Sequence, residues 1–433
     1  MATRRELFVW GITCGTLLAT NFATHAEEWN RFRGPNGSAV SSAQNLPAEW
    51  SETENVKWKV PLPGPGSSSP ILVGDKLFLT YYTGYGADRS SPGNPQDLTR
   101  HLMCVSQADG KTLWDRAVPA EPSVDRFNGF LRDHGYTTPT PASDGERVYA
   151  FFGKAGVVAF DLEGKQLWQT NVGNGSARNG WGSGSSPMLY KNMVIITAGA
   201  ESQALVALDK MTGSQVWTSK AENLHGSWST PVLVEVPGAT IGEASHTELV
   251  ISAPYEIWGF DPEKGKFLWF ADGVADDTIC GSLVARDGIV YAVGGRSGSA
   301  VAVRAGGKDD VTKTHTLWKG AMGSYVPSPV LAGNRIFTVN ERGILGCLNA
   351  TNGEKIFQQR LDAGGVYASP IVADGRVYIV TRTSGTIVLS STGDGEVLAQ
   401  NRFDDKTDFN ASPAVAEGRL FLRSNQALYC VGK

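Results

Sequence analysis

A single pattern recurs along this chain: Ser/Thr-Pro, an apolar strand, a Gly/Asp/Asn turn, two more apolar strands, a second Gly turn, and a Trp four residues later. Its second half is clearest at Ala207 to Trp217 and Ala159 to Trp168. Gly110 with Trp114 and Gly265 with Trp269 keep the offset; Gly353 with Phe357 and Gly395 with Ala399 keep it with the Trp replaced. The first half recurs at Ser69, Thr140, Ser186, Thr230, Ser328, Ser369 and Ser412, each followed by Pro, with a divergent copy at Ser282-Leu283. Successive copies are 41 to 52 residues apart except the first spacing, 71, where Thr83 to Arg100 and Glu121 to Gly135 are inserted. Units of this length with four short strands read as propeller blades, because one twisted sheet cannot cover both of its faces alone.

Eight units imply an all-β, eight-bladed propeller of four-stranded antiparallel blades. The last unit ends after its third strand, Ala427 to Val431, and lacks the strand that carries the Trp. Val56-Lys57-Trp58-Lys59-Val60 supplies the matching element at the other end of the chain, so an N-terminal strand is expected to close the ring and remove its free edge. Residues 27–433 are then read as one domain.

Composition fits many tight hairpins around a packed interior: 51 Gly, 21 Pro, 12 Trp and 41% hydrophobic residues. A net charge of −4 gives no basis for nucleic-acid binding. Residues 1–26 read as an export signal, with Arg4 and Arg5 before an apolar stretch and Thr24-His25-Ala26 offering small residues for cleavage after Ala26. Cys14 in that stretch follows Gly11-Ile12-Thr13, a poor lipidation context. Later in the chain no apolar run is long enough to span a bilayer, which predicts a periplasmic or secreted monomer. Cys104, Cys347 and Cys430 fall at the repeat position that is Ala159, Ala207 or Gly259 elsewhere, so a small buried residue rather than a disulfide explains them. Cys280 stands apart, and no Cys/His spacing resembles a metal site.

Trp58, Trp114, Trp168, Trp217, Trp269 and Trp318 share one repeat position and are expected to form a structural ring wedged between blades. The Asp-x-x-Thr-Gly turn before them is a hairpin device. Ala-x-Asp-x-x-Thr-Gly-x-x-x-Trp, at Ala207 to Trp217, resembles the tryptophan-docking repeat of the pyrroloquinoline quinone (PQQ) propeller superfamily, which includes quinoprotein alcohol dehydrogenases and BamB. Trp29 to Gly37, with Leu46-Pro47 and Trp58, looks most like exported PQQ-like repeat proteins of planctomycete-type bacteria. The resemblance covers nearly all of the chain after residue 26 and implies the fold far more than the activity. PQQ with calcium is the cofactor it would bring, yet the vicinal Cys-Cys of many dehydrogenases is absent and no calcium ligands or catalytic base match by motif.

In such a blade, the loops entering the first strand and those joining the second and third emerge on one face around the channel. The entering loops carry Arg132, Asp133, His134 and Tyr136, then Arg178 and Trp181, His225 and Trp228, Asp276 and Asp277, Tyr325, Tyr367, and Asp408 with Phe409; the other loops add Arg296, Arg342 and Arg382. Aromatic and charged side chains converging in a concavity suit ligand binding, and the three arginines are expected to form a positive arc. No catalytic or metal-binding residue is assigned. The expected function is an exported non-catalytic binding or scaffold module for a protein partner or small anionic ligand on the channel rim. The alternative is a PQQ-dependent oxidoreductase with diverged site residues.

Overall fold

The computed structural model describes residues 29–119, 121, 123–238 and 244–433; the expected export segment lies outside them. Eight antiparallel sheets follow one another around a ring. Blades 1 to 7 run from Ile71 to Pro119, Ala142 to Thr170, Met188 to Lys220, Val232 to Asp272, Val284 to Ala321, Val330 to Arg360 and Ile371 to Asn401. Blade 8 consists of three strands between Ala414 and Gly432, with Val56–Pro61 paired antiparallel to the last of them and Trp58 opposite Cys430. The ring is therefore closed by the N-terminal strand, as the unfinished eighth unit requires.

The outer wall obeys one packing rule. In each of several blades the fourth-strand Trp lies directly across from a small residue of the third strand: Cys104 opposite Trp114, Ala159 opposite Trp168, Ala207 opposite Trp217, Gly259 opposite Trp269 and Ala302 opposite Trp318. A Cβ on Gly259 would lie 2.2 Å from the Trp269 ring, so the small residue is a steric condition for the large one. The indole then reaches the next blade, where its Nε1 donates to a turn carbonyl. Trp114 bonds Leu162 O at 2.9 Å, Trp168 bonds Lys210 O at 3.0 Å and Trp217 bonds Pro262 O at 3.2 Å. The ring face rests on the turn glycine, which at Gly213 (φ 72) leaves no room for a Cβ against Trp168. Cys104, Cys347 and Cys430 are buried free thiols in this scheme, and Cys280 is also free.

Trp269 keeps the small partner but not the turn-carbonyl bond. Its Nε1 donates to Glu248 Oε2 at 2.7 Å, and a short insertion at Asp309–Asp310 adds a parallel fifth strand outside it. Trp269 is consequently fully buried, with Glu248 Oε2 also accepting from Gly306 N at 3.1 Å.

The N-terminal segment crosses beneath the ring before it joins blade 8. Trp29 O accepts from Leu72 N in blade 1 and Asn30 O from Ser143 N in blade 2. Asn36 exchanges two bonds with the Leu233 backbone in blade 4, Arg33 donates to Pro329 O at the start of blade 6, and Val40 bridges Val372 in blade 7. Leu72, Ser143, Leu233 and Val372 all come after the Ser/Thr residues that open the inner strands, so this segment runs along the channel beyond the entering-loop end of those strands. Gly34 (φ 63) lets the chain turn against Trp29, whose ring carbons lie 2.5–2.8 Å from where a Cβ would be.

Candidate functional site

Each inner strand begins at a Ser/Thr, or at Ser282 in the divergent unit, and all eight of these residues line one axial cavity of about 120 Å3. They also bond to one another around the axis. The Ser69 N–H donates to Thr140 Oγ1, Thr140 to Ser186, Ser186 to Thr230, Thr230 to Ser282, Ser282 to Ser328, Ser328 to Ser369 and Ser369 to Ser412, all at 2.9–3.0 Å. The belt opens once, between blades 8 and 1, where the buried Ser69 Oγ is left without a partner. That seam is joined instead by buried Arg423, whose Nη1 donates to Ser68 O at 2.8 Å and Ser68 Oγ at 2.7 Å. Burial pulls the Arg423 guanidinium down to about 9.

Phe32, from the segment beneath the ring, lines the cavity with the belt, and the entering loops form its upper wall. Trp181 packs edge-on against Phe130 at 4.6 Å and lies 5.3 Å from Trp228, whose Nε1 donates to Gly182 O. Phe130 comes from the second long insertion, Glu121 to Gly135, and reaches across the mouth to within 6.2 Å of Tyr325. Tyr367, Asn410, His134 and Cys280 complete the wall. No Asp, Glu, Lys or Arg is among the lining residues. Burial pushes the His134 imidazole down to about 4 and the Cys280 thiol up to about 12, and raises the Tyr325 and Tyr367 phenols. The described cavity is thus uncharged at neutral pH.

Of the residues expected on the channel face, His134, Trp181, Trp228, Tyr325 and Tyr367 line the cavity. The charged ones are placed around its mouth and are tied to one another. Arg382 contacts Asp408 at 2.8 Å and Asp133 at 3.2 Å, and lies 5.2 Å from the Tyr367 ring. Arg89, from the loop between the second and third strands of blade 1, also reaches Asp408 at 2.8 Å. Asn410 Nδ2 donates to Asp133 O, and Ser67 Oγ to His134 O, so both insertions are strapped to blades 7, 8 and 1. Arg296 lies 4.4 Å over Tyr325 and bonds its hydroxyl, while its backbone N–H donates to Asp276. Arg178 pairs with Asp277 at 2.7 Å, His225 meets Ser176 O at 3.2 Å, and Arg132 donates to Arg89 O. Arg342 has a side chain 80% exposed beside Glu341, so the three loop arginines have three different surroundings. Tyr136 and Phe409 pack into aromatic clusters instead.

The belt, Phe32, Phe130, Cys280 and Asn410 were not singled out from sequence as site residues. The recurring Ser/Thr was visible as the start of each blade, and its convergence on the axis follows once the blades close into a ring. Phe32 and Phe130 lie outside the repeat and carry no such signal.

An eight-bladed ring with tryptophan-docked blades and an axial pocket defines a PQQ-like β-propeller. Within that class the chain belongs to the family described as outer membrane protein assembly factor BamB, which it matches over residues 36–181, 99–359, 286–399 and 341–432. BamB of Salmonella typhimurium is 23% identical over 341 residues, 67% of this chain and 82% of that protein. The crystal structure of BamB from Moraxella catarrhalis superposes with a TM-score of 0.60 at 14% identity, covering 87% of this chain and 96% of that one. A europium-containing methanol dehydrogenase gives 0.65 at 10% identity, covering 94% and 98%. At these identities the structural likeness speaks for fold alone.

PQQ is a tricarboxylate, and together with a calcium ion it calls for cationic and carboxylate partners. The axial cavity offers neither, and among the described residues no group of three or more His, Cys, Asp and Glu is arranged to hold a metal. The residues of this cavity do not fit that cofactor.

Proposed function

We propose that this protein is an exported, non-catalytic scaffold that binds a protein partner through its channel face. The observation that carries this reading is the use made of the charged groups there. Asp133, Asp408, Arg89 and Arg382 are spent on one another as struts that hold two long insertions over the mouth. General acid–base chemistry needs a titratable group within reach of a substrate proton and tuned toward the working pH, whereas these groups shape a surface. The assembly-factor name of the BamB relatives points the same way. Among the described residues no helix is long and apolar enough to cross a membrane, which is consistent with a periplasmic product.

A photo-crosslinking residue placed at Arg132 on the channel face, and separately at Met211 on the outer wall, tests the reading in cells producing the full chain. A discrete protein adduct from position 132 alone is expected. The same adducts from both positions, or none from 132, would overturn it. Recovery of the tagged chain with cytoplasmic markers would refute export. The oxidoreductase alternative is tested separately by an absorbance and mass scan of the purified protein for bound quinone, followed by titration with PQQ and calcium.

A further inference from the structure

We infer that the axial cavity is a binding site for one uncharged, polyhydroxylated ring, a neutral sugar residue. The inference rests on the channel face being the binding face, and goes beyond it by naming what enters the shaft below the rim.

Four observations converge on that chemistry. The cavity of about 120 Å3 matches the liquid volume of about four waters, room for one small ring and not for a chain. Its wall holds no ionised side chain, so an ionised ligand entering it would lose hydration without gaining a counter-charge. One side is aromatic, with Trp181 and Trp228 5.3 Å apart and Phe130 edge-on to Trp181; an indole face suits the apolar C–H face of a pyranose. The other side, at the seam between blades 8 and 1, is lined by Ser69 and Asn410, whose Oγ and Oδ1 are buried without a partner. Asn410 is oriented by its Nδ2 donating to Asp133 O at 2.7 Å, so its oxygen is the atom left over.

The belt adds the complementary partner type. From Thr140 through Ser412, each of seven belt oxygens accepts a backbone N–H from its neighbour, which leaves each hydroxyl hydrogen available to the ligand. The cavity therefore asks for donors at the seam and acceptors around the belt. A sugar hydroxyl is both, whereas a hydrocarbon side chain answers neither, and leaving buried polar groups unpaired is costly. A carboxylate would accept from the belt but could not donate to Asn410 Oδ1.

The test uses the purified full chain with saturation-transfer NMR and calorimetry, and with D-glucose, N-acetylglucosamine and D-glucuronate as probes. Saturable binding of at least one neutral sugar is expected, with glucuronate at least tenfold weaker than glucose. Trp181→Leu removes the stacking surface and Ser369→Leu fills the cavity, and each should weaken that binding at least tenfold. Met211→Ala on the outer wall should leave it unchanged. Two variants at different blades keep the result readable if one fails to fold. No saturable binding of either neutral sugar, equal binding of glucuronate, or unchanged binding by a folded Trp181→Leu or Ser369→Leu protein overturns the inference. Should the sugars fail while the crosslink at position 132 persists, the scaffold reading stands and this inference alone falls; the reverse pair of results removes the scaffold reading alone.

Discussion

At the circumference of the ring an indole crosses each of several blade boundaries, packs on a turn glycine and donates one bond to a turn carbonyl. At the axis the same boundaries are crossed by a backbone N–H bonding a Ser/Thr oxygen. Both regions repeat, but they join blades with different kinds of energy. The indoles bury large apolar surfaces between sheets, whereas the belt satisfies polar groups around a space that stays open. The difference shows where each region tolerates exception. The outer wall repairs its irregular boundary, blades 4 to 5, by wrapping an insertion over Trp269 and giving its Nε1 a buried Glu248. The belt leaves its irregular boundary, blades 8 to 1, with an unpaired Ser69 Oγ on a residue that lines the cavity. A gap that would weaken a wall can serve a ligand site.

The largest effect should come from removing residues 29–61. This takes away both the strand that completes blade 8 and the segment that ties blades 1, 2, 4, 6 and 7 together below. Loss of the cooperative melt is expected, and a truncated chain with an unchanged transition would contradict closure by the N-terminal strand. Next in size is Trp168→Ala on the outer wall, which leaves a hole between blades 2 and 3 and should cost about 3–5 kcal/mol by denaturant unfolding. A cost below about 1 kcal/mol would mean that the belt and not the indoles holds the boundary.

The two regions were unequally legible in the sequence. The outer wall could be read residue by residue because its rule is local in the repeat: the small residue, the turn glycine and the Trp recur at fixed offsets. Ring closure was legible for the same reason, since Trp58 fills the position missing after Val431. The aromatic part of the cavity was partly legible, because Trp181, Trp228, Tyr325 and Tyr367 precede inner strands whose convergence is a property of the fold. What escaped depends on contacts without periodicity. Phe130 belongs to an insertion, Phe32 to the segment below, and Arg382 meets Asp133 across 249 residues of chain, so nothing at these positions announces the partner. The loop arginines looked like one arc because their repeat positions match, but the carboxylates and aromatic rings that receive Arg382 and Arg296 come from elsewhere.

A pH measurement sharpens the contrast, because the cavity holds a titratable group and no counter-charge among its lining residues. His134 is lowered by burial from 6.5 to about 4. Above pH 6.5 it is neutral in both folded and unfolded chains and contributes no pH dependence. As pH falls from 6.5 toward 4 the unfolded chain takes up a proton that the folded one refuses, so stability declines, and below about 4 the loss levels off. The difference is of order 2 kcal/mol after allowance for solvent near the mouth. In His134→Gln this part of the slope should disappear from unfolding free energies measured between pH 4 and 7. Identical slopes in parent and variant would show that His134 titrates alike in folded and unfolded chains and that burial does not hold it neutral.

The smallest effects discriminate within the belt itself. Ser186 Oγ accepts the Thr140 N–H at 3.0 Å in a buried setting, and replacing it by Ala leaves that donor without its partner at a cost of about 1 kcal/mol. Ser69 Oγ accepts nothing and is itself buried, so Ser69→Ala should change stability by less than about 0.5 kcal/mol in either direction. Paired urea titrations of the two variants give the comparison directly, since their side-chain volumes change equally. If Ser69→Ala costs as much as Ser186→Ala, the belt is bonded through the seam, and Ser69 Oγ is no longer available to a ligand. If Ser69→Ala is neutral while Ser186→Ala is costly, the opening of the belt is real and lies on the side of the cavity where Asn410 Oδ1 also awaits a donor.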